Sequence, residues 1–231
     1  MGEFSRPALF PGRSHFPRHA AECSEGYVSK RSPISLVDAA TRNPIDAVLV
    51  DEVSDDELRA ADQAWVRIRY QVALAAINRG EQHAPHTHWE WQNKTGPARN
   101  SRRILGVEQE GEMQALIALC LDRKCRLSEQ VGSPLVYVDY IETAPWNLKR
   151  YTDQPRFRGC GLHLIRASVE VSLDAGWGGR LGLHALEDDD TLRFYRLVCG
   201  MTEMSPDTAY HNLRYFEMTE AQAKEFREKG G

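Results

Sequence analysis

The chain of 231 residues has no apolar run long enough to cross a bilayer and no apolar signal-peptide core near its start, so neither a membrane span nor export is expected. It has no surplus of positive charge either. Its 29 Lys and Arg stand against 33 Asp and Glu, a net charge of −4, which leaves no global basic field for nucleic acid or an acidic membrane surface. The five cysteines are scattered and odd in number, and Cys120 and Cys125, separated by four residues, have no second pair to complete a zinc-ligand pattern. Free thiols in a reducing cytoplasm, with no bound metal, are the expectation. The glycine turn at Gly159 is not a dinucleotide fingerprint, because Leu164 stands where a third glycine is needed, and no Gly-Lys-Ser/Thr makes it a P-loop.

What is present is an ordinary globular composition, 42% hydrophobic and 27% charged, in a chain long enough for one substantial domain. Its organising stretch is Pro155-Arg156-Phe157-Arg158-Gly159-Cys160-Gly161-Leu162. Before it, Leu135 to Ile141 is rich in β-branched and aromatic residues and predicts a strand. After it, Leu162, Ile165, Val169 and Leu173 recur at helical spacing up to Gly176, a plausible C-cap. Strand, glycine turn and helix start together bring backbone amides close to a bulky anion, and Arg156 and Arg158 add positive charge. That is pyrophosphate-cradle chemistry.

Arg156-x-x-Gly159-x-Gly161 matches the Q/R-x-x-G-x-G/A signature of the GNAT superfamily of acyl-CoA-dependent N-acyltransferases, which this chain resembles. Downstream, Arg180 to Leu186 predicts a strand and Asp189 to Val198 a short helix. Leu192-Arg193-Phe194-Tyr195-Arg196-Leu197-Val198-Cys199-Gly200-Met201 is similar to the family's fourth-helix pattern, with Met201 where Phe is usual. The resemblance runs from near Ala47 to Thr219 and is strongest from Val136 to Met201. It implies an α/β (α+β) GNAT fold: a mixed, mostly antiparallel sheet splayed between its fourth and fifth strands and flanked by helices.

Residues 1–44 predict an irregular extension, since Pro, Gly, Arg, Ser and His crowd its start and no period persists. The acyltransferase domain is expected over 45–231. Ile45 to Val50 predicts a first strand, and Ser54-Asp55-Asp56-Glu57 a capping box opening a long amphipathic helix through Leu58, Trp65, Ile68, Val72 and Ala75. In the loop that follows, His83, His86, His88, Trp89 and Trp91 cluster around Glu90. Metal binding, an aromatic-lined acceptor pocket using His88, Trp89 and Trp91, and plain packing of the tryptophans against the sheet are the three readings. Strands are predicted over Arg103 to Glu108 and Met113 to Leu121, joined by a hairpin turn at Gly111, with Asn212 to Met218 a last strand and Thr219-Glu220-Ala221-Gln222 a second capping box.

The resemblance further implies that Ile141, Glu142 and Thr143 hold the acetyl carbonyl and pantetheine arm of acetyl-CoA. The amides and side chains of Arg156, Phe157, Arg158, Gly159, Cys160, Gly161 and Leu162 would take its phosphates. A primary amine, on a small molecule or peptide, would attack the thioester directly, with Tyr195 as acid to the departing sulfur. Asp139 or Glu142 would serve as base, Asp139 being preferred because strand parity groups it with Ile141 and Thr143 and turns Glu142 the other way. Where the family often has Asn, this chain has Glu187-Asp188-Asp189-Asp190, and Asp189 is read as an N-cap. Two other readings compete: a catalytically silent acyl-CoA-binding sensor, and an enzyme for a macromolecular amine. The charge argues against nucleic acid apart from a local patch of Lys94, Arg99, Arg102 and Arg103. No membrane partner is expected, and a homodimer is left open.

Overall fold

The architecture was obtained as a computed structural model, which describes residues 30–78, 80, 89–95 and 102–229, the side chains of 75 and 76 excepted. The described strands are β1 (Arg31–Asp38), β2 (Pro44–Asp51), β3 (Arg102–Gln109), β4 (Glu112–Lys124), β5 (Pro134–Thr143), β6 (Phe157–Arg158), β7 (Leu181–Ala185), β8 (Thr202–Asp207) and β9 (Leu213–Met218). They form one sheet in the order β6-β1-β2-β3-β4-β5-β7-β9-β8. The β5–β7 pair is parallel and the other pairs are antiparallel. Helices α1 (Asp55–Asn78) and α2 (Trp91–Thr95) cover one face; α3 (Cys160–Asp174) and α5 (Glu220–Glu228) pack on the other, and α4 (Asp189–Arg193) follows β7. This is the mixed, mostly antiparallel α/β sheet with flanking helices that the sequence leads one to expect. The expected fourth and fifth strands are β5 and β7.

Local chemistry explains the elements. Ser54 Oγ accepts from the Glu57 amide at 3.2 Å while the Glu57 carboxylate accepts from the Ser54 amide at 2.7 Å, so both orphan donors at the start of α1 are satisfied. Thr219 and Gln222 do the same for α5. The β3–β4 turn places Glu110 and Gly111 at φ 50° and 80°, a pair of positive values that matches the strands' own twist. Along α1, Leu58, Ala61 and Trp65 are buried, and so is Arg69, a cation on the apolar stripe.

Three expectations need correction. The extension over 1–44 is not irregular throughout, because Arg31–Asp38 forms β1 against β2. Leu36 is the only buried residue of β1, too little to make a period of two visible in sequence. Residues 1–29 lie outside the described set. The N-cap of α4 is Asp188, whose carboxylate accepts from the Thr191 amide at 3.0 Å, and not Asp189. The helix expected up to Val198 gives way after Arg193 to a π-helical turn, Phe194–Val198. Edge strand β8 had no expectation at all; it contains Pro206, which hides it.

Candidate active site

Between β5 and β7 the sheet opens into a cleft of about 400 Å³. Their parallel pairing stops at Val138 with Leu183, whereas β5 runs on to Thr143. The cause is a bulge. Ala118 pairs with Tyr140 and Leu119 with Val138, leaving Asp139 as an extra residue that twists β5 away from its neighbour. Beyond Val138 the β5 backbone has no ladder partner on the β7 side. It presents amide groups to the cleft, where an extended ligand with amides of its own can pair with them. Ile141, Glu142 and Thr143 all line this wall.

The bulge also overturns the parity argument. Val136, Val138 and Ile141 pack on the α3 side of the sheet, while Tyr137, Tyr140 and Glu142 face the other way. Asp139 therefore does not share a face with Ile141 by alternation. Its carboxylate is ion-paired with Arg102.

Opposite β5, the glycine turn forms the floor. Gly159 caps α3 in the left-handed region at φ 91° and offers no side-chain cap, so the first amides of α3 are left for a ligand. A Cβ on Gly161 would lie 3.8 Å from Thr143 Oγ1 and 3.9 Å from the Phe194 ring, so the bare glycine keeps a narrow approach open. Phe157, Arg158, Gly159, Cys160, Gly161 and Leu162 line the cleft. Arg156 does not. It pairs with Glu112 at 3.0 Å and lies over the Trp146 ring, which removes it from the phosphate position expected of it.

Unforeseen residues hold the turn in place. β6 pairs with β1, the Ala39 amide donates to Arg156 O, and His163 Nε2 meets Ser35 O at 2.9 Å, so β1 braces both the turn and α3. Asn147 Oδ1 accepts from the Phe157 amide at 2.9 Å, and its Nδ2 donates to buried Gln114, which also accepts from Trp146. Arg150 joins the wall and pairs loosely with Asp188 at 3.8 Å.

Glu142 and Tyr195 both line the cleft. Glu142 is buried; its oxygens face Arg69 Nη1 at 3.2 Å and accept from Trp91 Nε1 at 2.9 Å. Burial outweighs these partners and pushes its pKa up to about 7, the range of a working base. Tyr195 is buried in the π-helical turn and is one of the residues lining the cleft; loss of solvent pushes its pKa upward, so its proton stays in place at neutral pH. π turns of this kind recur at functional sites.

On the acceptor side, Trp89 lines the cleft and meets Tyr140 edge-on at 5.5 Å between centroids. Trp91 does not line it; the indole is buried and serves Glu142. His83, His86 and His88 lie outside the described residues, among which no three metal-ligating side chains converge. Of the expected basic patch, the described members are engaged elsewhere: Arg102 pairs with Asp139, Arg103 with Asp51 at 2.9 Å, and Lys94 sits over aromatic rings. Arg99 lies outside the described residues. Cys120, Cys125, Cys160 and Cys199 are free thiols, and burial pushes Cys160 up to about 12, so it is inert in the cradle.

No family model and no curated protein matches the chain. Among solved structures it is similar to the PaiA N-acetyltransferase of Thermoplasma acidophilum in complex with coenzyme A, at 10% identity and a TM-score of 0.47, over 74% of this chain and 98% of that one. It is also similar to the GNAT domain of S. lividans PAT, at 14% identity and a TM-score of 0.46, over 81% and 96%. A third is the ribosomal-protein-S18-alanine N-acetyltransferase of Escherichia coli, at 16% identity and a TM-score of 0.43, over 74% and 91%. The likeness is thus to acetyltransferases. At these identities and scores it carries no inference about this chain's chemistry, which its own cleft has to carry. No described helix is long and apolar enough to cross a membrane.

Proposed function

We propose that this chain is a GNAT-type N-acetyltransferase that moves an acetyl group from acetyl-CoA to a primary amine of a small molecule or peptide, in the cytoplasm. One observation carries the reading: a single cleft joins an uncapped helix start, an unpaired strand edge, a carboxyl group poised near 7 and a buried phenol. The amides from Gly159 to Leu162, with Arg158, suit a pyrophosphate, and the β5 edge from Ile141 to Thr143 suits a pantetheine arm. Acetyl-CoA supplies the activated acyl carbon. Of the two carboxylates, Glu142 is the better base, since Asp139 is held by Arg102 whereas Glu142 exchanges a proton near neutrality. Glu142 accepts the proton that the nitrogen of a neutral amine sheds as it attacks, and Tyr195 donates one to the departing sulfur. Trp89 and Tyr140 flank the amine's approach.

The test is Tyr195→Phe, which keeps the ring and removes the donor. Thiol release with an amine panel should fall on the order of 100-fold while coenzyme A affinity, measured by calorimetry, stays the same. Full turnover in the variant refutes the role of Tyr195. Tight cofactor binding with no turnover on any amine would favour a sensor.

A further inference from the structure

Lys94, on α2, has its ammonium 4.4 Å from the Trp89 ring centroid and 4.6 Å from that of Tyr140. Both rings line the cleft. Among the described residues no carboxylate pairs with Lys94, yet the charges of Asp139 and Glu142, both in the cleft wall, act on it. The backbone holds the residue there: its amide donates to Glu90 O at 3.0 Å and its carbonyl accepts from Arg102 Nη1 at 3.1 Å. A primary amine on a flexible four-carbon stem is thus held between the two rings that flank the acceptor approach. Half-burial already weakens its hold on the proton.

We infer that Lys94 is a self-acetylation site, the chain's own amine taking the acceptor position when no external amine is present. This rests on the acetyl-transfer reading above. A bond forms between Lys94 Nζ and the acyl carbon of acetyl-CoA as the carbon–sulfur bond breaks. The nitrogen's surplus proton passes to Glu142 and the sulfur is protonated, so amine and thioester become amide and thiol with nothing left over. The product loses the charge that sits over the two rings.

The full chain is incubated with isotopically labelled acetyl-CoA and no added amine, and label at each lysine is followed by peptide mass spectrometry. Calorimetry for coenzyme A and turnover with an amine panel are run on the same preparation. Label at Lys94 should appear at least about tenfold faster than at exposed Lys224 of the same molecules, because an amine held beside the cleft, over two of its rings, has a high effective concentration. Its rate constant should not change on dilution of the protein, and unfolding in urea should abolish the preference. Lys94→Arg should lose that label and keep the slow label at Lys224. If coenzyme A binds and external amines are acetylated while Lys94 labels no faster than Lys224, self-acetylation is wrong. A rate constant that scales with protein concentration overturns modification in cis. Absence of both cofactor binding and amine turnover overturns the acetyl-transfer reading, and this inference with it.

Discussion

Two buried glutamates on the same face of the sheet, Glu142 on β5 and Glu217 on β9, are held in opposite ways. Glu217 accepts from the Arg126 amide at 2.7 Å, the Leu127 amide at 3.1 Å, Gln130 Nε2 at 2.8 Å and the Tyr215 hydroxyl at 2.8 Å. Four donors saturate both oxygens and tie the loop after β4 to the last strand. Glu142 has Arg69 and one indole N–H, and its pKa rises to about 7. Burial alone does not make a carboxylate reactive; burial with too few donors does. The under-supplied one lines the cleft and the saturated one is masonry. The two positions also differ in backbone. Glu142 follows the bulge, where β5 has lost its neighbour, whereas Glu217 pairs in register with Gly182.

The comparison breaks most decisively at Glu142. Glu142→Gln keeps the shape and the contact with Trp91 but cannot take a proton. We expect kcat/KM to fall by on the order of 100-fold or more at pH 7 with coenzyme A affinity retained. The pH profile sharpens this. An acceptor amine with a pKa of about 10 must also be neutral, so log kcat/KM should rise with slope two below about 7 and slope one above it in the wild type. In the Gln variant slope one should hold throughout. Stability moves the other way. The folded pKa of Glu142 lies above its ordinary 4.5, so the stabilisation from this group is complete below 4.5 and is lost as pH rises through about 7. Chemical denaturation across that range should show the decline in the wild type and lack it in the variant. An unchanged rate profile would remove Glu142 from the chemistry.

Glu217→Ala should do the reverse. Four donors lose their acceptor in a buried site, at a cost of about 3 kcal/mol in unfolding free energy. The folded fraction should turn over at nearly the wild-type rate, since Glu217 lies outside the cleft. Urea midpoints and active-site-normalised rates separate the two effects; a large loss of rate with intact stability would mean the far network reaches the chemistry.

Much of this division was legible in the sequence, and its limits are physical. The glycine turn, the two capping boxes, the β3–β4 hairpin and the pair β5 and β7 were readable because each depends on local chemistry: a φ above zero, a side-chain cap, an alternation. Arg156 was misplaced because a motif fixes spacing and not where a long side chain finds a partner; Glu112 and Trp146 claimed it. The parity of Asp139 and Glu142 failed because a bulge inserts one residue without a sequence signature of its own. Trp91 was read as a pocket wall, when its neighbour Trp89 takes that place and Trp91 turns inward. Arg69 was invisible, although its position four residues after buried Trp65 was a usable signal that a cation enters the core and needs a carboxylate there.

That buried indole offers the finest adjustment of the contrast. Trp91→Phe retains most of the ring volume under α1 and deletes the indole N–H that donates to Glu142 at 2.9 Å. A hydrogen bond to a carboxylate favours its charged form, so its loss should raise the Glu142 pKa further, by about one unit for a bond worth roughly 1.4 kcal/mol. The break between the two slopes of the kcat/KM profile should move up from about 7 by that amount, with the plateau of any pH-independent rate little altered. Glu142→Gln combined with Trp91→Phe should show no break at all, which separates loss of the donor from repacking of the acceptor wall. A break that stays where it is in Trp91→Phe would mean that Arg69, and not the indole, sets the protonation of Glu142.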